Sequence, residues 1–125
     1  MATMLCVADI ERSLSFYRDR LGFRLREAVE HIALIERDGI LLYLFLESPP
    51  TDDKPGVWLK PPAEPGDGSV ILCFRVDDCR AAHEGLVRSG VEFLTPPMSP
   101  PWGGWHCFAL DPDGYVIEME EPAGS

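Results

Sequence analysis

The chain has 125 residues, 46% hydrophobic and 26% charged, with a formal net charge of −10. Its length suits one compact domain with a real core, and its composition is that of a soluble globular protein. The acidic balance disfavours nucleic acid and anionic lipid as partners. No apolar run approaches the roughly 20 residues of a membrane span and no leader-like segment opens the chain, so the expected location is cytoplasmic.

Thr3 to Val7 reads as a strand. Asp9 follows as an N-cap, because its carboxylate can accept from the unpaired N–H groups of a first helical turn. Ile10, Leu14, Tyr17 and Leu21 recur at helical spacing, and Gly22 ends the helix. Phe23 to Glu27 and His31 to Glu36 read as short strands, Asp38-Gly39 as a hairpin turn, and Ile40 to Glu47 as a strongly apolar strand. Ser48 to Ser69 carries Pro49, Pro50, Pro55, Pro61, Pro62 and Pro65, too many for a helix or a central strand. It is expected to be a linker or flap, with Trp58 in it.

Val70 to Val76 is the next strand, and Asp78 the next N-cap. Cys79, Ala82, Leu86 and Val87 form an apolar helical stripe that Gly90 stops. Val91 to Leu94, Trp105 to Leu110 and Tyr115 to Glu120 are strands, and Asp111-Pro112-Asp113-Gly114 is the turn between the last two. A second Pro-rich loop, Thr95 to Gly104, carries Trp102.

These two series repeat each other. A shift of 75 positions superposes His31 on His106, Asp38 on Asp113 and Gly39 on Gly114. The expected architecture is α+β: one domain over residues 1–125 built from two tandem β-α-β-β-β modules, about 1–47 and 70–122, joined by 48–69. The modules are expected to form a cupped mixed sheet whose cleft binds a small molecule. Open strand edges in such a sheet predict a homodimer. The four cysteines, Cys6, Cys73, Cys79 and Cys107, form no CxxC pair and read as buried free thiols.

Val7-Ala8-Asp9-Ile10-Glu11-Arg12-Ser13-Leu14-Ser15-Phe16-Tyr17 through Leu21-Gly22-Phe23 resembles the first helix of the glyoxalase/bleomycin-resistance/dioxygenase (vicinal oxygen chelate) superfamily. Phe74-Arg75-Val76-Asp77-Asp78 resembles the start of that family's second module, and Asp111-Pro112-Asp113-Gly114-Tyr115-Val116-Ile117-Glu118 its last hairpin. The resemblance implies the glyoxalase/bleomycin-resistance fold. It also implies that metal-dependent members hold a divalent ion with one side chain from the first and fourth strand of each module. Those positions fall here on Ala2, Tyr43, Ile71 and Glu118. One carboxylate does not hold a transition metal against water, so no metal or other cofactor is expected. A two-His, one-carboxylate set of His31, His106 and Glu118 is the other metal arrangement to weigh, against both histidines lying at strand starts near solvent. His83, among Arg80, Glu84 and Arg88, reads as a surface residue.

No nucleophile elbow, phosphate loop or dinucleotide fingerprint is present. If the protein is an enzyme, Glu118 is the catalytic candidate, as a base. Otherwise it is a wall charge paired with Arg75. Strand alternation puts Tyr43, Cys73, Arg75, Phe108 and Glu118 on the cleft face and His106 on the same strand face as Phe108, with Trp58, Trp102 and Trp105 in or beside the closing loops. Pro101-Trp102-Gly103 and the acidic charge resemble the metal-free antibiotic-binding branch. The leading expectation is therefore a metal-free binding protein that sequesters an aromatic or cationic antibiotic. The alternatives are a metal-dependent lyase or oxygenase, and a metal-free enzyme using Glu118.

Overall fold

Each half of the chain runs strand, helix, then three strands, because the same caps and turns recur in the same order. In the computed structural model, which describes residues 1–124, the first half contains β1 (Thr3–Cys6), α1 (Ile10–Asp19), β2 (Arg24–Val29), β3 (Ile32–Arg37) and β4 (Ile40–Phe45). The second contains β5 (Ile71–Arg75), α2 (Cys79–Arg88), β6 (Glu92–Phe93), β7 (Trp105–Leu110) and β8 (Val116–Glu121). The fold is α+β, and the chain divides into two compact units, Met1–Ala63 and the remainder from Glu64 onward.

In the first unit the strand order is β1-β4-β3-β2, with β1 parallel to β4 and the other pairs antiparallel. Asp9 caps α1 by accepting from the Arg12 N–H at 3.1 Å. Ser13, Leu14, Phe16 and Tyr17 are the buried residues of α1. The sheet contributes Leu5, Ala33, Ile35, Leu42 and Leu44 to the core, all 2% exposed or less. Tyr17 stands edge-on to Phe16 at 5.0 Å and to Phe23 at 5.8 Å, an arrangement that suits aromatic quadrupoles. Gly22 takes φ 76°, which lets Phe23 turn into the core; the strand expected from Phe23 therefore starts at Arg24. Asp38 and Gly39 have φ of 50° and 82°, the paired positive values of a tight hairpin that matches strand twist.

The second unit restates the pattern as β5-β8-β7-β6, with β5 parallel to β8. Asp78 caps α2 through the Ala81 N–H at 3.0 Å, and Glu121 from β8 accepts from the Cys79 N–H at 2.9 Å. Phe74, Cys79, Val91, Cys107, Ala109, Ile117 and Met119 are its buried apolar side chains. The Asp111 carboxylate is buried in the last turn, where one oxygen accepts from the N–H groups of Asp113 and Tyr115, both at 2.9 Å. Val91 enters the core, so the strand expected over Val91 to Leu94 shortens to Glu92–Phe93.

The Pro-rich stretch is shared out between the units. Ser48 and Leu59 exchange backbone bonds of 3.0 and 2.9 Å, which folds the first part of the stretch back beside β4. Gly66 donates to the Gly114 carbonyl at 2.8 Å, and a Cβ on Gly114 would lie 2.6 Å from Pro65. The second part is thus packed on the last hairpin. Three thiols are buried as expected, but Cys73 is exposed: it points to the sheet face that α2 does not cover. His83 is a further departure from expectation, half-buried with its ring 4.5 Å from Phe93.

Candidate active site

Each sheet has one face packed against its own helix and one open face. In the second unit, the helix side takes Leu72 and Phe74 from β5, Cys107 and Ala109 from β7, and Ile117 and Met119 from β8. Alternation then leaves Cys73, Arg75, His106, Phe108, Glu118 and Glu120 on the open face. The register makes Cys73 the direct neighbour of Glu118 across β5–β8, and sets Phe108 opposite Glu118 and His106 opposite Glu120 across β7–β8.

His106 and Glu118 are joined on this face: Nδ1 lies 3.1 Å from Oε2. A carboxylate only accepts, so Nδ1 carries the hydrogen. The imidazole stands edge-to-face with Phe108 at 5.1 Å and with Trp102 at 6.0 Å. Arg75 pairs with Glu120 (3.6 Å), and the Cys73 thiol donates to the same carboxylate at 3.7 Å. The expected Arg75–Glu118 pairing is therefore replaced by Arg75–Glu120. Glu120 was not among the expected site residues, although its spacing of two from Glu118 on a strand was the available signal. Desolvation, with the Glu118 and Glu120 charges behind it, pushes the Cys73 thiol up to about 11, so it stays protonated near neutral pH and is no thiolate nucleophile.

Trp105 alternates with His106 and so lies on the helix side, where the Arg80 guanidinium covers its ring at 4.6 Å. Trp102 is 72% exposed at the tip of the Pro-rich loop. The two tryptophans meet only at the end of the sheet, around a cavity of about 140 Å³ that Glu121 and Pro122 also line. In the first unit, Tyr43 is half-buried on the open face of its own sheet beside Met4 and Leu34. Trp58 is exposed; its Nε1 donates to Glu47 at 2.7 Å, and Lys60 sits over its ring at 4.4 Å.

The donor set does not fit a divalent cation. The Ala2 and Ile71 side chains carry no lone pair, Tyr43 offers only a phenol, and Glu118 alone offers a carboxylate. The alternative set draws His31 from the first unit and His106 and Glu118 from the second. His31 is exposed in the turn before β3, 3.9 Å from Glu30, while His106 is tied to Glu118. Among the described residues, no group of three or more His, Cys, Asp or Glu side chains is placed to hold an ion.

This chain belongs to the Glyoxalase/Bleomycin resistance protein/Dioxygenase superfamily, whose model matches residues 2–119. It is 35% identical over 121 residues to a lactoylglutathione lyase of Haemophilus influenzae, covering 95% of this chain and 89% of the relative. It is 31% identical over 149 residues to a lactoylglutathione lyase of Pseudomonas putida, covering 96% and 83%. Among solved structures, a glyoxalase-related enzyme from Fulvimarina pelagi superposes with a TM-score of 0.78 at 28% identity, covering 97% of this chain and 86% of that one. These relatives overturn the expectation of an antibiotic-sequestering binding protein. They are enzymes by name, and neither the loop tryptophans nor the acidic charge outweighs that likeness, since both features arise on many surfaces. No helix among the described residues is long and apolar enough to cross a membrane.

Proposed function

We propose that this protein is a lyase-type enzyme acting on a small thioester or thiol adduct of the lactoylglutathione class, with Glu118 as the base that moves a proton on the substrate. The observation that carries this reading is the His106–Glu118 contact on an open sheet face, at the one family ligand position that retains a carboxylate. Such a base needs a fixed carboxylate and access to substrate, and contributes about 10²–10⁴-fold to a rate. Glu118 has both: its side chain is 20% exposed and it is hydrogen-bonded rather than buried in the core. The exposed Arg75, beside Glu120, supplies a cation for a substrate carboxylate on the same face.

A metal-dependent route does not suit this donor set, which lacks the ligands for it. The test is turnover of lactoylglutathione, followed by loss or gain of its thioester absorbance, for the wild type and for Glu118→Gln. Activity that falls at least about 100-fold in Glu118→Gln, and survives chelation in the wild type, supports the reading. Activity abolished by chelator and restored by a divalent ion overturns the metal-free step. Absence of turnover overturns the substrate class.

The homodimer belongs to the same proposal. All six residues of the edge strand β2 are exposed, Val29 at 70%, and a second copy would cover such an edge. Sedimentation at micromolar concentration giving only a monomer would remove it.

A further inference from the structure

We propose that His106 is the positioning residue for Glu118: its Nδ1–H holds one carboxylate oxygen and so presents the other to the substrate. This rests on the reading of Glu118 as base. It goes beyond the family resemblance, which assigns His106 no role.

Three observations carry it. The first is the choice of partner. The register sets His106 directly opposite Glu120, yet the ring reaches diagonally to Glu118 at 3.1 Å. Glu120 is occupied from the other side of β8 by Arg75 at 3.6 Å and by the Cys73 thiol at 3.7 Å. Two carboxylates two residues apart thus receive different partners, the guanidinium on one and the imidazole on the other.

The second observation is restraint of the ring. Phe108 meets His106 at 61° and Trp102 meets it at 88°, so the imidazole has an aromatic neighbour from its own strand and one from the loop. The loop is itself pinned. Gly103 donates to the Pro100 carbonyl at 2.9 Å and the Ser99 hydroxyl donates to the Gly104 carbonyl at 2.8 Å. Gly104 has φ 73° and lies so close to the Glu121 carbonyl that a Cβ would collide with it.

The third observation is matched burial: the two side chains are 19% and 20% exposed. Partly desolvated partners hold a charge-assisted bond more firmly than surface pairs do. An unrestrained glutamate samples several rotamers, and a proton transfer depends on holding one of them within hydrogen-bond reach of the substrate. His106 removes that freedom without itself touching the reacting atoms. The titratable and charged groups facing the pair are Cys73 and Arg75 from β5 and Glu120 from β8.

The test uses two variants of the full chain with lactoylglutathione. His106→Phe keeps a ring between Trp102 and Phe108 and removes the donor. His106→Asn keeps an N–H close to the position of Nδ1 without the ring. The expected result is a kcat at least tenfold lower in His106→Phe with KM within twofold of wild type, and recovery of most of that loss in His106→Asn. Wild-type kcat in His106→Phe, or no recovery in His106→Asn, overturns the proposal. A readout independent of turnover is the long-range ¹H–¹⁵N spectrum of the neutral ring. It should place the proton on Nδ1 in the wild type and redistribute it in Glu118→Ala. A proton on Nε2 in the wild type overturns the positioning role whatever the activity. Nδ1–H in a chain without turnover supports the pairing and overturns the reaction.

Discussion

The two units have the same order of elements and the same strand pairing, yet the first is built around its core and the second around its open face. In the first, α1 drives Leu14, Phe16 and Tyr17 into the sheet, and the uncovered face presents Met4, Leu34 and Tyr43, with one ion-pair cluster of Glu36, Arg24 and Arg26 at its β2 edge. In the second, Cys79 is the only residue of α2 that is fully buried, and the uncovered face carries Arg75, His106, Glu118 and Glu120. Duplication supplied one scaffold twice. The difference teaches that packing strength and chemistry can be divided between the copies, since charged groups on one face are tolerated where the opposite face is held by backbone ladders and caps.

The sharpest way to break this comparison is to truncate one aromatic in each unit. Phe23 is 3% exposed against Tyr17, so Phe23→Ala should cost about 3–5 kcal/mol in urea unfolding. Phe93, half-buried beside His83, should cost only about 1 kcal/mol. Equal losses would mean that the second unit has an equally strong core.

Next come the glycines. Gly39→Ala meets no atom within 4 Å and should cost about 1–2 kcal/mol for its positive φ alone. Gly104→Ala adds a collision with the Glu121 carbonyl and should cost more than Gly39→Ala while also lowering activity through the Trp102 loop. A Gly104→Ala protein with unchanged stability would show that the loop is not pinned there.

A smaller effect is expected at the helix caps. Asp9→Ala should cost about 1 kcal/mol. Asp78→Ala should cost less, because Glu121 still accepts from the Cys79 N–H. Matching values from thermal unfolding would leave Glu121 without a capping role.

The thiols give an effect that is absent at neutral pH. Burial, followed by the neighbouring Cys79, pushes Cys107 up to about 12, and Cys73 is pushed up to about 11, both from 9.0. Both folded values exceed the unfolded one, so their contribution to stability is complete below pH 9 and is lost as pH rises through 11 to 12. Cys73 should therefore react with iodoacetamide slowly at pH 8 despite its exposure, with mass spectrometry reading the modified peptide. Rapid modification there would place a thiolate on the open face.

Much of the fold is legible in the sequence because its signals are local. Asp9 and Asp78 cap helices through N–H groups three residues away, Asp38-Gly39 fits a tight hairpin, and the spacing of Leu14 and Tyr17 places one helical face in the core. The strand expected from Trp105 to Leu110 has those same ends in the structure. The candidate site is less legible. Alternation puts Cys73, Arg75, Phe108 and Glu118 on one face, but Trp105 goes to the other, and Glu120 joins the site without having been expected there.

The sequence by itself determined the doubled β-α-β-β-β pattern, the caps and turns, the family, and the presence of one carboxylate among the four ligand positions. Each of these follows from residue type at short spacing, where the backbone period decides which neighbours meet. Only the tertiary structure decided that Glu118 joins His106, that Arg75 and Cys73 go to Glu120, and that Cys73 is exposed. Those choices lie between strands. Shifting a register by one residue would exchange the faces, and several charged groups lie within reach of one another, so cross-strand distance selects the partner that composition leaves open.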